Sequence, residues 1–149
     1  MSRQDRQARQ AEYFGRLQRV LEPSEAADRI AHSLIGAAIE VHRHLGPGFL
    51  ESAYERALAV ELGLRGIPFA QQVPIVVAYK GVSVSEQRLD LLVDDLVILE
   101  IKAVESITSA HVVQALSYMR AARLELGLLI NFNVPVLTQG IRRLVRPIE

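Results

Sequence analysis

An α/β domain with a mixed central sheet flanked by helices is what the sequence predicts, and three observations predict it. Residues 24 to about 63 carry apolar side chains at helical spacing, residues 67 to 104 switch to β-branched runs broken by two turn signals, and a further helical pattern then separates two strongly apolar strands. At 149 residues the chain suits one such domain, because single hydrophobic cores commonly form at roughly 100 to 200 residues.

Residues 1–23 are rich in Arg and Gln, with Tyr13, Phe14 and Leu17 scattered among them. Such a composition buries little apolar surface, so we read an N-terminal extension, flexible or loosely helical, ahead of a domain spanning 24–149. Its arginines (Arg3, Arg6, Arg9, Arg16, Arg19) suit either phosphate contacts or a solvated face. After Pro23-Ser24, a plausible helix start, Ala27, Ile30, Ala31, Leu34, Ala38, Val41 and Leu45 form a wide apolar stripe that predicts a mostly buried helix. Gly46-Pro47-Gly48 stops it, since Gly tolerates the left-handed cap and Pro cannot continue the ladder. A second helix carries Leu50, Ala53, Tyr54, Ala57, Leu58 and Leu62 on one face and ends near Gly63 or Gly66.

Val73 to Tyr79 and Val82 to Val93 read as a hairpin across Lys80-Gly81. Asp94-Asp95 makes a second turn, and Leu96 to Val104 is the nearly continuous apolar run of a central strand covered on both faces. Thr108 or Ser109 can cap a third long helix through about Arg123, Leu126 to Phe132 is another apolar strand, and Arg142 to Arg146 is a short tail with three arginines.

Seventeen basic residues match seventeen acidic ones, so no overall field draws the molecule to nucleic acid or an anionic membrane, and any phosphate binding must be local. The absence of cysteine excludes disulfides and thiolate metal sites. The N-terminus leads into no signal-peptide pattern and no uncharged apolar run is long enough to span a bilayer, so a cytoplasmic, non-membrane protein is expected.

Burial of an unpaired charge is costly, which makes charges inside apolar strands informative. Glu100 and Lys102 interrupt the run from Leu96 to Val104 and, by strand alternation, point to one face. Asp90 interrupts the preceding strand. If the two strands pair around Asp94-Asp95, Asp90 approaches Glu100. Two carboxylates in an apolar surround repel until a hard divalent cation neutralises them, and a lysine beside them can hold a water or stabilise charge on a phosphate. That spacing suits metal-assisted phosphodiester hydrolysis. It equally suits a silent Glu-Lys pair with an edge aspartate, and the residues alone leave both readings open.

At these residues the chain resembles the PD-(D/E)XK nuclease superfamily, with Asp90 and Glu100-Ile101-Lys102 standing as its bipartite motif. Gly48-Phe49-Leu50-Glu51-Ser52-Ala53-Tyr54 looks like the Gly-x-x-Glu-x-x-Tyr signature of the GxxExxY family placed in that superfamily. The surroundings, Ile35 to His42 and Ile98 to Ala103, look similar too, so that the resemblance covers roughly residues 24 to 146. It implies a restriction-endonuclease-like core and a Mg²⁺- or Mn²⁺-dependent nuclease acting on nucleic acid, DNA in the first instance; the small size of the domain, with little surface to grip a duplex, suits a homodimer. It implies Glu51, Asp90 and Glu100 as metal ligands, with the Ile101 backbone carbonyl as a further one, and Lys102 as the catalytic lysine. Gln114-Ala115-Leu116-Ser117-Tyr118 resembles the Gln-x-x-x-Tyr motif of the RecB-type branch, which adds Gln114 to the catalytic set. The alternative is an inactive nucleic-acid-binding or protein-interaction module on the same fold.

His111, Gln114 and Tyr118 share one helical face, and His111 and Tyr118 join Tyr54, Arg142 and Arg143 as candidate nucleic-acid contacts. Tyr54 also suits a core-edge position, and the arginines also suit an edge strand kept soluble. Glu55, one turn after Glu51, reads as an exposed helix charge or as the true ligand in place of Glu51. His42 and His44 lie on different faces of a helix and read as helix-end residues meeting terminal carbonyls.

Overall fold

The computed structural model describes residues 2–9 and 22–146. Residues 3–9 are helical and exposed, whereas Tyr13, Phe14, Leu17, Arg16 and Arg19, on which much of the reading of the extension rests, lie outside the described residues. Helix α1 (Glu25–Leu45) starts where the Ser24 side chain accepts the Ala27 N–H, and it stops at Gly46, at φ 68°. There glycine takes left-handed geometry without a Cβ penalty. Helix α2 (Glu51–Leu64) buries Tyr54, Leu58 and Leu62. Leu50 departs from expectation: it precedes the helix as its N-cap and is 80% exposed, because the helix begins one residue too late to carry it onto the buried face.

Strands β1 (Phe69–Tyr79), β2 (Val82–Val93) and β3 (Val97–Lys102) pair antiparallel in succession. Helix α3 (Ser109–Ala122), capped by Thr108, crosses to β4 (Leu126–Asn131), which runs parallel to β3. A 3₁₀ turn (Leu137–Gly140) then leads into β5 (Ile141–Val145), antiparallel to β4. The sheet order is β1-β2-β3-β4-β5, a mixed sheet as predicted. The expected tail is thus a fifth strand. Its two consecutive arginines break the apolar signal, and its pairing to β4 is a long-range event that local pattern does not encode.

Helices α1 and α2 cover one face, where Leu34, Leu58 and Leu62 meet Val93, Leu99, Ile101 and Leu128. Helix α3 covers the other, where Met119 meets Ile75, Leu89 and Ile98. Every residue of β4 is buried, the physical reason its sequence reads as a continuous apolar run. None of the described helices is long and apolar enough to cross a membrane.

The 3₁₀ turn packs tightly on the end of β4: a Cβ at Gly140 would collide with the Asn131 carbonyl oxygen. Backbone cannot swing aside as a side chain can, so Gly140→Ala is expected to destabilise the fold by about 1–3 kcal/mol. Gly63, within α2, has open space where a Cβ would stand, and Gly63→Ala should be neutral or stabilising by under about 1 kcal/mol. Urea midpoints of the two variants test the contrast.

Candidate active site

The β2–β3 ladder runs from Val93↔Val97 through Leu92↔Ile98 to Leu91↔Leu99. One step further the same register sets Asp90 opposite Glu100. The ladder ends there and side chains take over: the Asp90 N–H donates to Glu100 Oε1 at 3.2 Å, and the Ile101 N–H donates to Asp90 Oδ2 at 2.8 Å. Residues facing each other across an antiparallel pair share a sheet face, and alternation adds Lys102 to it. Ile98 on this face packs beneath α3, so Glu100 and Lys102 lie on the α3 side, and Asp90 reaches the same gap through its bond to the Ile101 N–H. In an extended strand a residue's N–H and C=O point to the same side, which turns the Ile101 carbonyl towards the gap as well.

One strand further out, Gln72 has φ 50°. Across this step the buried parity of the hairpin changes. Leu91 and Val93 belong to the core under α1 and α2, whereas Leu89 and Ile75 belong to the core under α3. The hairpin turns over at Gln72 and Asp90, and this takes the Asp90 carboxylate out of a packed row and into reach of Ile101.

Glu51 is the first residue of α2, and its Oε1 accepts the Ala103 N–H at 3.3 Å, just past the end of β3. The Gly-x-x-Glu-x-x-Tyr segment explains how it gets there. Gly48 supplies a left-handed turn at φ 107°. Tyr54 is fully buried and stacks on Phe132 at 4.5 Å, while its hydroxyl donates to the Gly46 carbonyl at 2.7 Å and accepts the Phe49 N–H at 3.2 Å. The tyrosine therefore pins the α1–α2 loop and sets the start of α2. As a nucleic-acid contact Tyr54 is corrected, since a side chain without exposed surface touches no ligand.

Burial pushes the Glu100 carboxyl up from 4.5 to about 8; the Asp90 charge adds to the rise, and the Asp90 N–H and the Lys102 ammonium oppose it. Asp90 is raised too, by burial first, with the charges of Glu55 and Glu51 adding and the Ile101 N–H and Gln72 amide opposing. The Tyr118 hydroxyl is raised by burial and then by Glu100 and Asp90, against a hydrogen bond from Gln114. Glu51, Glu55, Asp90, Glu100, Lys102 and Tyr118 thus meet in one electrostatic neighbourhood.

Sequence reasoning missed the residues that brace it. Gln72 donates to Glu55 Oε1 at 2.6 Å and to Asp90 Oδ1 at 3.5 Å, and Gln71 donates to Glu55 Oε2 at 3.2 Å. Glu55 is therefore half-buried at the rim of the site. Asn131, only 2% exposed, accepts the Val104 and Asn133 N–Hs and donates to the Val104 carbonyl, fixing the chain that leaves β3. A buried amide at the end of an apolar strand was the one available signal.

Other candidates scatter. His111 Nδ1 accepts the Thr108 N–H and closes a capping box, so its ring serves the start of α3. Arg143 pairs with Asp28 on α1 at 2.6 Å. Arg142 lies in register with Leu129 and through it with Glu100, on the α3 face. His42 is buried against the Val134 carbonyl at 2.8 Å, not against its own helix end, and His44 bonds Glu40 at 2.9 Å.

Among the described residues, no three His, Cys, Asp or Glu side chains stand together closely enough to hold an ion as they are oriented. Glu51, Asp90 and Glu100 each give one oxygen to a backbone N–H. The donor chemistry nonetheless fits a hard divalent cation. Such ions take carboxylate and carbonyl oxygens, and confinement drives two of these carboxyls towards the neutral form, a cost that a cation relieves.

Because Glu100 is raised, the metal-free folded protein binds more protons than the unfolded chain between about pH 4.5 and about pH 8. Folding stability should therefore fall as pH rises through that window and level off above it, with Asp90 contributing in the same direction. Glu100→Gln should flatten the slope. Urea unfolding in EDTA across the window measures it, and a wild-type stability that rises with pH would contradict the assignment.

A family model described as the PD-(D/E)XK nuclease superfamily matches residues 28–144, which takes in Glu51, Asp90, Glu100 and Lys102. No curated protein matches the chain. The five-stranded mixed sheet with helices on both faces is the restriction-endonuclease-like arrangement that the resemblance implies. With the match spanning α1 to β5, the chain belongs to the PD-(D/E)XK nuclease superfamily.

Proposed function

We propose that the protein is a Mg²⁺- or Mn²⁺-dependent nuclease that hydrolyses phosphodiester bonds in DNA, of the GxxExxY kind within its superfamily. One observation carries the reading: Asp90 and Glu100 stand side by side where two strands part, with Lys102 on their face. Superfamily membership supports nuclease chemistry in general. A homodimer and a cytoplasmic location belong to the same reading, the first because so small a domain has little surface for a long substrate.

Glu51, Asp90, Glu100 and the Ile101 carbonyl are the groups that would hold the ion. When bound, it supplies Lewis-acid polarisation of the phosphate and a lowered pKa for the attacking water. Lys102 positions that water or donates to a non-bridging phosphate oxygen as negative charge builds there. The water oxygen bonds to phosphorus while the bond to the leaving sugar oxygen breaks. One water proton passes to solvent and the leaving oxygen takes one up, so that a phosphomonoester and a hydroxyl result. Gln114 and Tyr118 orient the strand from α3.

Purified protein should cut DNA with Mg²⁺ or Mn²⁺ and not in EDTA. Lys102→Ala should lower kcat about 10²- to 10³-fold while the protein still binds Mn²⁺, and Glu100→Ala should lose both cleavage and Mn²⁺ binding. Wild-type protein inert on single- and double-stranded DNA and RNA, with Mn²⁺ affinity untouched by Glu100→Ala, would leave an inactive binding module as the correct reading.

A further inference from the structure

A groove of about 660 Å³ runs between the β1–β2 hairpin and the C-terminal half of α3. Its walls include Ala78, Gln87, Tyr118, Arg120 and Arg123, and both of its charged residues are arginines. That sign is local, since the chain as a whole carries no net charge. Its Tyr118 end lies towards the carboxylate cluster, since Tyr118 feels the charges of Glu100 and Asp90. Tyr118 donates from its hydroxyl to Gln87 Oε1 at 3.2 Å at the end nearest Asp90, and Gln87 lies three residues before Asp90 on β2. Valines and alanines line the walls together with three hydroxyls and the Gln87 amide, a mixture that accepts a base plane and a sugar edge while the arginines meet phosphate.

Size decides the form of the ligand. A volume of this order encloses a small organic molecule, which leaves room for one or two unpaired nucleotides and none for a duplex. We propose that this groove is a binding site for the single-stranded nucleotides flanking the scissile phosphate, which enter past Tyr118 and end at Arg123. The inference rests on the nuclease reading for its orientation, while binding in the groove is measurable without cleavage. It makes single-stranded nucleic acid, or an unpaired end on a duplex, the preferred substrate class.

Ala78 gives a clean probe, because it is exposed on a strand edge and belongs to neither core. Full-length protein in EDTA, which prevents cleavage, is titrated against a fluorescently labelled single-stranded oligonucleotide and a blunt duplex. Ala78→Glu should weaken single-strand binding about tenfold and Ala78→Arg should tighten it, both leaving duplex binding unchanged. Wild type that ignores the single strand, variants that bind it as wild type does, or variants that move duplex and single-strand affinity equally would overturn the groove assignment. Cleavage by wild type in Mg²⁺ then reads the nuclease proposal separately. Charge-dependent single-strand binding without cleavage would sustain the groove and defeat the nuclease, and metal-dependent cleavage with no effect at Ala78 would do the reverse.

Discussion

The transfer of hydrogen bonds from backbone to carboxylate at the end of the β2–β3 ladder is the constraint on which the site depends. A strand that loses its partner leaves N–H groups that must be satisfied. Here the Asp90 N–H finds Glu100 and the Ile101 N–H finds Asp90. The strands can therefore part without orphaned donors, and in parting they hold two carboxylates together. The cost falls on Glu100, 5% exposed and driven towards its neutral form. A fold that keeps such a group keeps a place where positive charge is favourable.

Three elements must meet for that place to form, and each is fixed by burial rather than by charge. The apolar rows of β3 and β4 are held between the α1–α2 layer and α3. Tyr54, locked on Phe132 and on the loop backbone, sets where α2 starts and so where Glu51 lies. Asn131 ties down the chain just beyond Lys102. The charged side chains themselves are placed by neighbours that carry no charge.

Much of this was legible in sequence because it is local. A continuous apolar run with charges inside it marks a central strand, and the meeting of Asp90 with Glu100 follows from a short turn between the strands. The start of α1 at Ser24 and the Thr108 cap follow from side-chain chemistry. What escaped depends on distant pairing. Strand β5 exists because β4 offers it an edge, and Gln72 matters because a left-handed residue brings its amide to Glu55 and Asp90 from another strand. Tyr54 carried two readings for a related reason: an aromatic one turn from an acidic residue suits a ligand contact or a core position, and the position of Phe132, far along the chain, decides for the core.

Under the proposed nuclease reading, neutral net charge and a nucleic-acid substrate are reconciled by how the arginines are distributed over the two faces. Neighbouring strands lie about 4.8 Å apart, so Arg142, two strands from Glu100 in the same row, has its backbone roughly 10 Å away. Arg142 is not among the charges that shift Glu100 or Asp90. Arg143, one residue on, turns to the opposite face and is paired with Asp28. Strand alternation thus gives one arginine to the α3 face and the other to the packing of α1, and Lys102 is the cation that opposes the charge of Glu100 directly. The carboxylates keep an excess of negative potential, while positive charge lies further out along the same face.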